Sequence, residues 1–538
     1  MLKHIQSFAS YIDFLNNHFC DLSVDNRYRI KKIKSFKSAY YKLRRLNTDP
    51  IRPILFSLYP INTGRPAIDP VIFIRSFVLM KLLKYVSIDA WCTDLKHDQL
   101  LQFLVGTSDP PGVASHHDFI NRIMNDNPSL KSLFSKGRFS KENHAIMKKN
   151  EKWENYTDED THSLYLKYKN GAEFDRYRDT YTIERIFNLL AVQPSFQKGI
   201  IDKDSINISG DGTCLHIHAS PYGNKVEDAP IADINYRYSA PDANWGWDSD
   251  LEQWYFGFTI YNLTYHNKIL KIDLPLYLTL GYASDHDALT SFTATARLLD
   301  IAPNLKPDFM CFDSAMDAAY FHQFLREKDI IPIIDWNKRN NPKVNPYAKY
   351  EGLNENGIPI CSQGHVMVRD GYDNSKKATK YRCPLITGKI DSCPLFGKCT
   401  KSNYGRVVKV YDKTNYKLFG PVPYHSDKWK EMYKNRTSTE RINNRILNDY
   451  GLHKMHVRNR SKNVFFTLII GICIHLDAWD KLENFTEWLS VNYCFYNRHP
   501  IGCLFVVKIN SFLRIICLST CNKQLTFIQN QLLFENTL

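Results

Sequence analysis

The sequence contains no long run of apolar residues. Its longest, Val464–Leu476, is shorter than the roughly 20 residues a membrane-crossing helix needs, and His475 interrupts it. A core helix is expected there, and no membrane partner. An export signal is also missing: Met1–Asn17 carries acidic and polar residues among its apolar ones and has no small-residue cleavage site. The 13 cysteines include no paired C-x-x-C knuckle. In a chain without an export signal, thiols or metal ligands are expected rather than disulfides. Acidic residues are short relative to basic ones, 56 against 70, leaving a net charge of +14. That imbalance points to a polyanionic partner, most commonly nucleic acid, with a solvated basic surface as the plainer reading. The expected location is the cytoplasm, with the nucleoid.

What is present divides into stretches of different grammar. Residues 1–136 read as helices. Arg27–Arg45 is basic with interleaved Tyr28, Phe36, Tyr40 and Tyr41; it suits either a phosphate contact or a solvated amphipathic helix. Asp69-Pro70 predicts a helix start, Asp at the N-cap and Pro at the first helical position. Val71–Val86 then reads as a buried helix. Ser87 predicts a second start, Gly106 and Asp109-Pro110-Pro111-Gly112 a stop, and Ser115 another short helix. Such a series fits a helix-turn-helix DNA reader or a plain bundle. Residues 137–200 read as a linker and connecting helices.

From 201 to 336 the pattern turns to strands and helices in alternation: strands at Ile206–His218, Trp254–His266 and Ile269–Ala283, a helix at Asp285–Asp300, a strand at Phe309–Phe312, a helix at Ala318–Lys328 and a strand at Ile330–Ile334. This order predicts a ribonuclease-H-like mixed α/β sheet. Residues 337–425, rich in Asn, Lys, Gly, Pro and Cys, read as an insertion. A helix starting at Ser426 opens a C-terminal part of the same domain, 426–480, and 481–538 forms an atypical tail.

Two carboxylates end apolar strand patterns: Asp211 in Ser209-Gly210-Asp211-Gly212-Thr213 and Asp313 in Cys311-Phe312-Asp313-Ser314. A carboxylate leaving a buried strand is costly unless paired or bound to a cation; a turn or cap Asp is the alternative. Glu440 follows Tyr433 and Arg436 at helical spacing. It reads either as one half of an exposed Arg–Glu pair or as a third acid turned toward the first two. Three such acids suit phosphodiester chemistry, because two hard divalent ions, magnesium or manganese, take oxygen ligands.

In these residues the chain resembles the DDE transposases of bacterial insertion sequences, within the group that has a helical N-terminal DNA-binding domain and a Y-R-E signature near the third acid. Gly64–Pro70, Gly210–Thr213, Phe312–Ala318 and Tyr433/Arg436/Glu440 carry the resemblance, in order, over roughly residues 50–475. It implies a ribonuclease-H-like catalytic domain with Asp211, Asp313 and Glu440 holding two Mg²⁺ or Mn²⁺ ions. It implies binding of the element's inverted terminal repeats, cleavage at its ends and joining of the 3′-hydroxyls to target DNA, by a homo-oligomer on paired ends. Tyr433, Arg436, Arg445, Lys454 and Arg458 are the expected DNA contacts, and a solvated basic loop is the competing reading for the last two. The chain departs from the family at Leu447, where a Lys is common, and at Met316, where many relatives have His. An inactive DNA-binding remnant is therefore the alternative function. In the insertion, Cys361, Cys383, Cys393 and Cys399, with His365 as a substitute, are read as a structural zinc set or as free thiols. His216 and His218 read as strand histidines before site groups, and Asp285 and Asp287 as helix caps.

Overall fold

In the computed structural model Asp69 caps the first deeply buried helix, as its sequence predicts, accepting from the Val71 N–H at 3.2 Å. The structure describes residues 5–20, 27–59, 66–124, 160–172, 180–202, 204–221, 240, 242–249, 251–337, 352–354, 358–496, 505–509 and 512–516, with residues 20, 27–35 and all beyond 483 described by backbone alone. The expected linker over 137–159 and the Gly64-Arg65 start of the family-like motif lie outside these residues.

Seven α-helices occupy the described part of the N-terminal region: α1 (Phe8–Cys20), α2 (Arg27–Arg45), α3 (Arg52–Ser57), α4 (Pro70–Leu82), α5 (Ile88–His97), α6 (Gln99–Val105) and α7 (Val113–Ile123). The last begins two residues before the Ser115 start that the sequence suggested, with Gly112 at its N-cap. Helix α4 is covered on every side, Arg75 and Lys81 included, which is the behaviour of a helix inside a core rather than on a surface. The Arg75 guanidinium sits 3.7 Å over the Tyr11 ring and donates to Gln6 and to the Val105 carbonyl. A buried charge is kept by such contacts.

Next come α8 (Thr161–Lys169), α9 (Tyr181–Phe187), a π turn over Asn188–Val192, and α10 (Gln193–Gln197). The mixed sheet follows: β1 (Ile206–His216), β2 (Asn244–Asp248), β3 (Gln253–Asn267), β4 (Ile272–Tyr282), β5 (Pro307–Phe312) and β6 (Ile331–Ile334). Its order is β2-β3-β1-β5-β6, with β4 also paired to β3. Strands β1, β3 and β4 pair antiparallel, while β1-β5 and β5-β6 pair parallel. Helices α11 (Asp287–Ile301) and α12 (Ala319–Glu327) make the crossovers. Within this sheet only β2 had no counterpart in the sequence reading; the strands of the insertion and of the tail had none either. Strand β2 is a short edge strand of Asn, Trp and Gly without apolar alternation.

The insertion carries a three-stranded antiparallel meander, β7 (Val368–Asp373), β8 (Ala378–Arg382) and β9 (Val407–Tyr411). Its core is small, with Met367, Tyr381 and Phe419 at the centre. Helices α13 (Asp427–Tyr433) and α14 (Thr437–Asn444) follow, and then α15 (Arg460–Tyr496). The expected single helix from Ser426 toward Gly451 is instead broken by a 3₁₀ turn at Lys434–Arg436 and ends in a π turn at Arg445–Asp449.

Residues Met1–Ala478 form one compact unit. Within it the first turns of α15 run through the interior: Phe465 and Phe466 pack edge-on against Phe77 of α4, and a side chain at Gly471 would strike Leu278 of β4 and Phe187 of α9. The N-terminal helices and the sheet therefore share one core. By length and composition Arg460–Glu483 could cross a membrane, but the window is 89% buried inside the protein, as a core helix is. The second unit, Trp479–Leu538, contains the remainder of that helix and an antiparallel hairpin, β10 (Phe505–Ile509) with β11 (Phe512–Ile516).

Two buried histidines fasten this core. His116 lies against Ser76 Oγ at 2.9 Å and the Gly112 carbonyl. His475 lies between Ser195 Oγ at 2.7 Å and the Pro275 carbonyl at 2.8 Å. Burial holds both imidazoles down to about 4. In the unfolded chain they protonate near 6.5, so their contribution is fully present above that pH and is lost as pH falls through 6.5 toward 4. Each imidazole is expected to cost on the order of 3 kcal/mol across this range, read for His475 in urea unfolding as the difference between the unmodified chain and His475→Gln. The slope should be shallower in His475→Gln, whose amide can still donate to Pro275.

Candidate active site

Strand register brings the first two acids together. In the parallel pairing Ile208 faces Met310 and Ser209 faces Cys311. Two residues further along are Asp211, in the middle of β1 just past the end of its parallel pairing with β5, and Asp313, the residue that follows β5; the sequence pattern placed a strand end at Asp211, but β1 continues to His216 along β3. Gly210 makes this approach possible: a Cβ there would lie 2.4 Å from the Phe312 ring. Asp313 also caps the short turn after β5, accepting from the Ala315 N–H at 2.8 Å. The cap reading and the site reading therefore hold for one side chain at once.

The third acid arrives by tertiary packing. Across the β1–β3 ladder Asp211 faces Asn262. Asn262 is buried, and its Nδ2 donates to Asn443 Oδ1 on α14 at 2.6 Å. Arg441 of the same helix holds Asp273 of β4 at 2.6 Å. Glu440 directly precedes these two anchors in sequence, and its side chain is 51% exposed at the edge of the site. Arg436 bridges the set: one guanidinium nitrogen is 2.8 Å from Glu440 and another is 3.9 Å from Asp211. The expected exposed Arg–Glu pair is present, and it reaches the strand acid as well.

A fourth carboxylate belongs here. Asp287, the first residue of α11, points at β1, with its Oδ1 only 3.2 Å from where a Cβ on Gly212 would stand. It was read from the sequence as a helix cap, but the N-cap is His286, which accepts from the Ala288 N–H. Burial first, then Asp313 and Asp285, push Asp287 up to about 6. Burial first, then Asp313, with Asp287 and Glu440 adding and Arg436 opposing, push Asp211 up to about 7. Buried like charges raise one another in this way. The signal in the sequence was the adjacency of an acid to a strand end, which a cap explains equally well. Tyr261, fully buried on β3 opposite Gly212, has its hydroxyl without a hydrogen-bond partner.

Tyr433 stacks on Trp429 at 4.6 Å and packs against the cluster of Phe309, Cys311 and Ile333. Its place beside the acids thus comes with a packing role. Arg445 pairs with Asp477, which also holds Lys42 at 2.7 Å and the Tyr450 hydroxyl at 2.6 Å; this arginine is engaged within the protein. Lys454 and Arg458 are exposed. His216 stacks beside Tyr255 and lies 3.5 Å from Asp248, and His218 reaches the His453 carbonyl. Cys361, Cys383, Cys393 and Cys399 are free, half-buried thiols in turns. Among the described residues no group of three or more His, Cys, Asp or Glu side chains is arranged to hold a metal ion.

Residues 29–126 match the family model of a transposase domain, DUF772. The match supports a transposase family, and with it an enzyme of DNA transposition. It covers α2 to α7 and ends before the sheet begins. No curated protein matches the chain.

The crowding of acids has a measurable cost. At pH 8 in chelator-treated buffer, Asp211→Asn is expected to raise the melting temperature, because it removes one of the repelling charges while keeping the side chain's shape. The gain should be on the order of 1–2 kcal/mol. A lower melting temperature would show that the Arg436 pairing outweighs the repulsion.

Proposed function

We propose that the chain is a DDE transposase that binds the inverted terminal repeats of its element, cuts at the ends and joins the freed 3′-hydroxyls to target DNA. The observation that carries this reading is the register that sets Asp211 and Asp313 side by side where the parallel β1–β5 pairing ends, with Glu440 held nearby by the Asn262–Asn443 bond. The sheet supports a ribonuclease-H-like domain: three antiparallel strands followed by two parallel ones, with the acids at the junction. The transposase-domain match at residues 29–126 supports the DNA substrate.

The donor chemistry fits hard divalent cations. The groups are carboxylates alone, and burial, with repulsion from Asp313 added, holds Asp211 up to about 7 with one guanidinium as nearby counter-charge. Asp211, Asp313 and Glu440 would hold magnesium or manganese, which when bound would supply an activated water or 3′-hydroxyl and a stabilised leaving oxygen. Asp287, packed over Gly212, would fix the direction of Asp211. Arg436 is placed to contact a phosphate oxygen, exchanging its carboxylate partners for the substrate. Tyr433, rigid against Trp429, would limit how the backbone lies across the site. Oligomerisation on paired ends follows from the resemblance and belongs to the proposal.

The test is strand transfer with purified protein and terminal-repeat DNA in Mg²⁺ or Mn²⁺. Asp211→Asn and Asp313→Asn should each lose activity by roughly a thousandfold or more while DNA binding persists. Full activity in either variant would remove that residue from the catalytic set. The four insertion cysteines do not converge as a metal set in this structure; we further propose that one structural zinc would gather them, since the meander's core is too small to hold it alone. Metal analysis should find zinc near one per chain, reduced in Cys383→Ser; its absence would leave free thiols.

A further inference from the structure

A cavity of about 290 Å³ lies where the start of α5 meets the segment leading into α15. Ser87 and Asp89 line one side, His117 another, and His456, Arg458 and Lys462 the third. The backbone joins the sides, with the His456 N–H donating to the Val86 carbonyl at 3.3 Å. The wall thus combines residues inside the matched transposase domain with residues more than three hundred positions later.

Its chemistry favours an anion. Arg458 and Lys462 bring two fixed positive charges to the lining and Asp89 one carboxylate, with Asp118 also acting on His117. The first turns of two long helices, the 10-residue α5 and α15, contribute wall, and N–H groups at such ends carry partial positive charge. His117 Nδ1 is buried with no hydrogen-bond partner. Burial first, with Lys462 beside it, keeps this imidazole below its ordinary range, so it serves as a neutral hydrogen-bonding group and adds no charge. His456 and Arg458 are exposed at the rim, so a phosphate that is part of a polymer can reach the cavity from the surface.

We propose that this cavity seats one backbone phosphate of bound DNA, clamping the duplex between the N-terminal helices and the start of α15. The inference rests on the reading of the chain as a DNA-handling transposase. It involves none of the proposed catalytic residues.

Fluorescence anisotropy of the full chain on a short labelled terminal-repeat duplex, over a salt series, tests it. Arg458→Ala/Lys462→Ala should bind about three- to tenfold more weakly and show a salt slope shallower by about one, while Arg458→Lys/Lys462→Arg keeps both values. Melting curves check folding, and Arg458→Gln, at an exposed position, gives a smaller shift in the same direction if the double variant does not fold. Unchanged affinity and slope in these variants would overturn the phosphate seat and leave the transposase reading standing. Failure of the unmodified protein to bind DNA even at low salt would overturn both. Inorganic phosphate that raises the melting temperature of the unmodified protein but not the variant's, with equal DNA affinity, would identify a free-anion site and also overturn the proposal.

Discussion

Carboxylates that repel one another are held together at the carboxyl end of a parallel strand pair, and much of the surrounding architecture answers that constraint. Asp211 and Asp313 cannot separate without slipping the β1–β5 register, which would turn the apolar faces of both strands outward. Gly210 admits the Phe312 ring and Gly212 admits Asp287. The repulsion is opposed locally by Arg436, and globally by the burial of the strands on which the acids stand. A local electrostatic penalty sustained by a large core is the arrangement expected where a charged partner is to be bound.

The core that sustains it is shared. Helix α15 enters between α4 and the sheet, so the N-terminal helices and the strands that carry the acids are parts of one packed interior. His475 extends that link by bonding Ser195 and Pro275 at once. Helix α14, tied to β3 by Asn262–Asn443 and to β4 by Arg441–Asp273, positions Glu440 by polar anchors one and three residues after it. Each anchor joins residues more than 160 positions apart, so the third acid's location is a property of the closed fold.

Much of this was legible in the residues. Asp69, Ser87 and Ser426 mark helix starts because their side chains accept from the first free N–H groups. The apolar runs ending on Asp211 and Asp313 mark strands, since a buried strand shows itself as a short apolar run. Strand β2 escaped because its tryptophans and glycine carry no alternation. The break at Lys434–Arg436 escaped because every residue there tolerates a helix. Asp287 was misread for a related reason, because local sequence cannot tell a capping acid from one driven against a neighbouring strand.

The sequence by itself determined most helices and all but one strand of the mixed sheet, their order, the basic charge and the acids Asp211 and Asp313, all of which depend on neighbours a few residues away. The tertiary structure alone decided that Asp287 joins those acids, that Arg436 spans Asp211 and Glu440, that Arg445 is engaged by Asp477, and that His117 and Arg458 line one cavity. Those pairings follow from strand register and helix docking across long stretches of chain, and no periodicity within a segment encodes them.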